Sequence, residues 1–220
     1  MGDLVTHIQN SLNRTDVYQS KITDDILLID GMSGKKTRHF YNNICSMDDA
    51  RYLEVGVWKG SSISSAMCNN KMTCLCIDNW SEFAEDCAHL GPRYVGVREE
   101  FFKNFNRFKG ENDATFLEKD CFDVDTNEIG KFNIYMYDGN HSETSHFLAL
   151  NYFMPCLDNI FIYLVDDWNW KPVRDGTLDS IEKNNAITIW KKEIRTTSDD
   201  SSAFLGDWHN GICIFVLKKS

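Results

Sequence analysis

YLEVGVWKGSS, residues 52–62, decides how the rest of the chain is read. A short apolar run carries an acid, Glu54, at its end, then turns on Gly56 and Gly60 into a serine-rich helix start at Ser61. Glycine admits positive φ and lets the backbone come close to a ligand, and the helix that follows offers free N–H groups. The stretch therefore opens a strand–turn–helix unit with a ligand site at the turn.

Working outward, the same pattern recurs. Apolar runs at residues 52–55, 73–77, 114–117, 132–137, 160–165, 187–194 and 212–217 read as strands, and polar segments at 61–68, 97–108 and 143–152 have helix length. Strands separated in this way imply βαβ units, a largely parallel sheet and right-handed crossovers. The last two runs flank TTSDDSSAFLGDWHNG, residues 196–211, which has no helical pattern, so they are expected to pair antiparallel at the end of the sheet. The expected architecture is an α/β domain over residues 51–220, with seven strands and an antiparallel C-terminal strand. Residues 1–50 read as a helical extension, with KKTRHFYNNICS (35–46) its clearest helix and GMSGKK (31–36) either a plain loop or a lid.

Composition narrows the function. A chain of 220 residues that is 42% hydrophobic fills one sizeable core. Its net charge of −10 and pI near 5.0 oppose the field that a general nucleic-acid or anionic-membrane binder needs. No run approaches the roughly 18 apolar residues that span a bilayer, and the N-terminus lacks the charged and apolar regions of a secretion signal. A cytoplasmic protein without membrane or nucleic-acid partners is expected. The eight cysteines (Cys45, Cys68, Cys74, Cys76, Cys87, Cys121, Cys156, Cys213) show no CxxC spacing and read as reduced core residues.

In an open α/β sheet, ligands bind beyond the carboxyl ends of the strands. Glu54, Asp78, Asp120, Asp138 and Asp166 all fall there. The E-x-G-x-x-x-G spacing departs from the G-x-G-x-x-G of a dinucleotide site, and an acid beside a pyrophosphate is unfavourable, whereas it suits a cationic ligand. Asp78 is placed to hold ribose hydroxyls, and Asp120 to read an adenine amino group. Trp80 is either a stacking ring or core. With these residues in register, residues 52–218 resemble the class I S-adenosylmethionine-dependent methyltransferases. The resemblance implies a Rossmann-like methyltransferase domain that holds S-adenosylmethionine through Glu54, Gly56, Gly60, Ser61, Asp78, Trp80, Asp120 and Cys121.

Two further stretches describe the other half of the site. FNIYMYDGNHSETSHF, residues 132–147, stops a strand on Asp138 and sets His141 three positions later; FIYLVDDWNW, residues 161–170, ends the next strand on Asp166 and Asp167. Three carboxylates at one rim repel one another unless a cation joins them, and an all-oxygen cluster suits a hard divalent ion. GVWKGSS, YDGNHSE and VDDWNWKPVRDG together resemble the metal-dependent O-methyltransferases that act on sugars of macrolides and related glycans. That resemblance implies Mg²⁺ or a similar ion on Asp138, Asp166 and Asp167, with His141 as the base beside Asp138. Trp168 and Trp170 either stack on a sugar face or pack under the loop. His146 falls in a helix, and His209 sits near the rim without a motif.

The residue types match the chemistry, because a sugar hydroxyl must lose its proton as it attacks a sulfonium methyl. A cation stabilises the developing negative charge, and an imidazole takes the proton. The acceptor is a small molecule or glycan, and a homo-oligomer is left open. Rival readings are a catechol-like small-molecule O-methyltransferase, whose enzymes carry Asp-Asn where this chain has Asp166-Asp167, and a non-catalytic S-adenosylmethionine-binding scaffold. An NAD-dependent oxidoreductase is disfavoured by the glycine spacing.

Overall fold

A computed structural model describes residues 2–81, 91–203 and 206–220. Cys87 lies outside the described residues. Seven strands form one sheet: β1 (Arg51–Val55), β2 (Thr73–Asp78), β3 (Asp113–Glu118), β4 (Phe132–Tyr137), β5 (Leu157–Asp166), β6 (Ile187–Ile194) and β7 (Ile212–Lys218). Their order is β3-β2-β1-β4-β5-β7-β6. Strands β1 to β5 pair in parallel, whereas β7 runs antiparallel to both β5 and β6. The expected α/β sheet with one antiparallel C-terminal strand is present.

Side-chain alternation along the strands divides the core in two. Tyr52, Cys74, Cys76, Ile134, Met136, Ile162 and Leu164 face one side, where they pack with α1 (Gly2–Asp16), α3 (Lys35–Ile44), α4 (Ser61–Met67) and α5 (Val97–Phe108). Leu53, Val55, Leu75, Ile77, Tyr135, Tyr137, Tyr163 and Val165 face the other side, against α6 (Glu143–Phe153) and α7 (Lys171–Lys183). Parallel strands covered on both faces are apolar at nearly every position, which is why their runs were legible. A one-turn helix, α2 (Asp24–Leu27), completes the N-terminal part.

The first 50 residues share the core of the sheet. Ile8 of α1 and Phe40, Tyr41 and Ile44 of α3 are fully buried in the same cluster as the strand residues. Each such side chain contributes about 1.5–3 kcal/mol by leaving water, so the N-terminal helices are held by packing as well as by connection. Helix α7 went unread in the sequence because Pro172 and Gly176 break its pattern, yet proline is at home in a first helical turn. No helix among the described residues is long and apolar enough to cross a membrane.

Gly176 marks where α7 crosses α6. A Cβ there would lie 2.1 Å from the carbonyl oxygen of Glu143, a backbone atom that cannot swing aside. Alanine gains about 1 kcal/mol of helix propensity over glycine, but forcing the two helices apart costs about 1–3 kcal/mol. Gly176→Ala is therefore expected to lower stability in chemical denaturation. An unchanged or raised midpoint would show that the two helices are not packed this closely.

Candidate active site

The site lies where the strand connections diverge. Strand β1 has β2 on one side and β4 on the other, and the chain leaves β1 towards β2 but leaves β4 towards β5. A cleft of about 420 Å³ opens between them. Gly56 makes this possible. Its φ is +85°, and a Cβ on it would meet the carbonyl oxygen of Asp138 at 1.9 Å.

On the β2 side, Asp78 braces the turn after β1. One carboxylate oxygen accepts from the backbone N–H of Val57 (2.8 Å) and Trp58 (3.1 Å), and the other accepts from Trp80 N–H (2.8 Å). A carboxylate has about four acceptor positions, so the turn's amides occupy most of those on Asp78. Burial still pushes this carboxyl above its ordinary value. Trp80 donates from its indole to Trp58 C=O at 3.0 Å and packs its ring against Phe101, Phe102 and Phe116, leaving one edge on the cleft. Asp120 stands two residues beyond β3, where its side chain accepts from Phe122 N–H at 2.9 Å. Asp120, Cys121 and Phe122 together form that wall. Burial pushes the Cys121 thiol up to about 12, so it stays protonated at neutral pH.

Glu54, Gly60 and Ser61 sit differently from one another. Glu54 is fully buried and does not line the cleft; its carboxylate accepts from the Ser62 hydroxyl, which does. The expectation that Glu54 touches a ligand directly is corrected accordingly. Strand alternation turns its side chain inwards, and Ser62 occupies the wall. Gly60 adopts φ +80° at the start of α4, and its missing Cβ faces Phe101 at 3.1 Å rather than the cleft. Ser61 lines the cleft, with its hydroxyl 3.0 Å from that of Ser33. Ser33 and its neighbour Met32 belong to the GMSGKK loop and form part of the cleft wall. The Arg38 guanidinium fixes this loop by donating to the carbonyls of Ile26, Ile29 and Ser33.

On the β4–β5 side, Asp138, His141 and Asp167 come together. One ligand atom from each lies within 4.8 Å of the others. His141 Nε2 is 2.7 Å from Asp167 Oδ2 and 3.6 Å from Asp138 Oδ1. The three groups make a close ionic cluster. Burial disfavours charge on His141, but Asp138 and Asp167 outweigh it and carry the imidazole up to about 10. Burial pushes Asp138 up to about 6 against the pull of His141, while His141 overrides burial at Asp167 and holds it low.

Asp166 is not part of that cluster, which differs from the expected set of three carboxylates. It continues the face of Ile162 and Leu164, and one of its oxygens lies 3.4 Å from the Tyr41 hydroxyl of α3. Its other oxygen accepts from Asp167 N–H at 3.0 Å. Burial, with the charges of Asp138 and Asp167, pushes its carboxyl well above the usual range. Both acids line the cleft, but Asp166 ends the strand beside Tyr41 while Asp167 turns out of it towards His141. Trp168 is also corrected as a substrate contact: it is fully buried against Phe215. Trp170 does line the cleft, edge-on to His141 with ring centroids 4.9 Å apart, and His209 lines it too. His146 is buried in α6, as read.

Carboxylate oxygens of Asp138 and Asp167 meet at one point on the cleft wall with the His141 imidazole beside them, all three partly buried, and this donor set fits a divalent cation. Asn210 and Tyr41, which touch these acids, were not singled out in the sequence. Only the chain's path through the loop before β7 and through α3 brings them there.

No protein family profile matches the sequence, and no curated protein matches it. Solved structures do match its fold. An O-methyltransferase from Bacillus cereus in complex with SAH aligns over 97% of this chain and 91% of its own, with a TM-score of 0.52 and 11% identity. The cofactor-bound protein Rv0187 from MTB aligns over 98% and 91%, with a TM-score of 0.52 and 11% identity. A tRNA m1G37 methyltransferase from M. jannaschii aligns over 84% and 48%, with a TM-score of 0.50 and 13% identity. The chain has the Rossmann-like fold of the class I methyltransferases.

Glu54 gives a pH test of this geometry. Burial pushes its carboxyl from an ordinary 4.5 up to about 8. Between those values the folded chain holds a proton that the unfolded chain has released, so this residue makes stability fall as pH rises from about 4.5 to about 8 and stay level above. In ligand-free protein, Glu54→Gln is expected to flatten that slope and to unfold at a higher temperature than wild type at pH 8.5. Parallel wild-type and variant profiles would place Glu54 in contact with water.

Proposed function

We propose that the protein is an S-adenosylmethionine-dependent O-methyltransferase, assisted by a divalent cation, that acts on a hydroxyl of a sugar or glycan. The observation that carries the reading is the meeting of Asp138, His141 and Asp167 across the cleft from Asp78. The B. cereus O-methyltransferase and its SAH complex support the donor class. The net charge of −10 supports a small acceptor over a nucleic acid, whose phosphates it would repel.

Within this reading Gly56 lets the backbone approach the donor, Asp78 on the cleft wall takes a ribose hydroxyl, and Asp120 with Cys121 and Phe122 faces the adenine. The sulfonium supplies the methyl group, and a cation such as Mg²⁺ supplies positive charge for the developing oxyanion. Asp138 and Asp167 would hold that cation. His141, beside both carboxylates, would take the proton that the acceptor hydroxyl releases. Trp170 offers an aromatic edge beside His141 against which a sugar ring packs. Fixing the acceptor oxygen in line with the methyl provides much of the remaining acceleration.

Calorimetry is expected to show binding of S-adenosylmethionine and its demethylated product, weakened at least tenfold by Asp78→Ala, the scale of a lost hydrogen bond to a charged group. Binding of NAD with no heat from either adenosyl ligand would overturn the methyltransferase reading. With methyl transfer followed on hexoses, glycosides and catechol, EDTA is expected to stop turnover and Mg²⁺ to restore it. Full turnover after exhaustive chelation would overturn the metal reading, and preference for catechol would move the acceptor to the phenol class.

A further inference from the structure

Asp167 stands in a conformation that its own chain does not favour. Its φ is +56°, in the left-handed region that costs a non-glycine residue about 1 kcal/mol or more and persists only where the surroundings enforce it. Asp166 takes the last position of β5 and faces Tyr41, so Asp167 must fold back to reach Asp138.

The enforcing contacts come from the loop before β7. Trp168 N–H donates to Gly211 C=O at 3.3 Å, and Asn169 N–H donates to Asn210 C=O at 3.0 Å. Asn210 is fully buried, and its Nδ2 donates to Asp167 Oδ1 at 2.8 Å. Its Oδ1 is held in turn by Asn169 Nδ2 (3.1 Å) and Ala203 N–H (3.1 Å), which fixes the amide's orientation. Asn169 is itself buried, and its Oδ1 accepts from Thr196 N–H at 2.9 Å. The same loop is pinned from the far side, where Thr37 N–H of α3 donates to Asp207 C=O at 3.0 Å.

We propose that Asn210 is the positioning residue of the cation site: by binding Asp167 Oδ1 it leaves Oδ2 as the oxygen turned towards Asp138 and His141. The inference rests on the metal reading above and adds what aims the ligand. A side chain that donates on one edge and accepts on the other is needed here. Aspartate keeps the shape and the acceptor but loses the donor and sets a second carboxylate against Asp167. Leucine keeps the volume and loses both. Partners that orient a ligand carboxylate are commonly worth 10–100-fold in metal affinity.

The test uses the full chain and Mn²⁺ as the probe, with free ion counted by electron paramagnetic resonance. Asn210→Asp and Asn210→Leu are each expected to weaken Mn²⁺ binding at least tenfold, while affinity for the demethylated adenosyl product stays within twofold of wild type. Asn210→Asp keeps the assay open if the leucine variant does not fold. Wild-type Mn²⁺ affinity in Asn210→Asp would overturn the proposal, as would an equal loss of adenosyl affinity, which marks a general structural role. Absence of Mn²⁺ binding by the wild-type protein would remove the metal reading itself and the proposal with it, a result recognisable because it precedes any substitution.

Discussion

The site depends on the close approach of Gly56 to the backbone of Asp138. The rungs Gly56 N–H to Ile77 C=O (3.0 Å) and Asp138 N–H to Val55 C=O (2.8 Å) are the last on either side of β1. Past them the chain leaves β1 and β4 in opposite directions, and a side chain at position 56 would collide with the Asp138 carbonyl. Because β1 to β5 run parallel, every acid at a strand's carboxyl end arrives at this one edge. The crevice and the charge within it are two results of the same topology.

The carboxyl groups crowded near this edge are accommodated in different ways. Asp78 is satisfied by three backbone amides of the turn it braces. Burial leaves Glu54 and Asp166 protonated well above the ordinary range. Asp138 and Asp167 share the charge of His141. These devices are not equivalent. Amides and buried protons are fixed parts of the fold, whereas an imidazolium on a cleft wall can yield to another cation. That difference is the ground on which the proposed cation site is assigned to Asp138 and Asp167 rather than to the acids as a group.

Most of the fold was legible because covered parallel strands are nearly all apolar; β4 and β6 have the boundaries read from the sequence, as does α5. Helix α7 was hidden by Pro172 and Gly176, one suited to a first turn and the other to a close crossing. The acids at the strand ends were legible by position, but not by direction. Asp166 and Asp167 are adjacent in sequence and both line the cleft, yet the first reaches Tyr41 of α3 and a left-handed turn carries the second to His141. Trp168 goes into the core. Asn210 and the Met32–Ser33 wall depend on contacts between segments far apart in the chain, which periodicity does not carry.

The most direct test is a crystal of the protein grown with the demethylated adenosyl product and Mn²⁺, with an anomalous map recorded at the manganese edge. The account predicts one peak bonded to oxygens of Asp138 and Asp167, with the ribose of the adenosyl product at Asp78 and its sulfur facing the peak. An adenosyl product seated in the cleft with no manganese at the Asp138–Asp167 pair would contradict it.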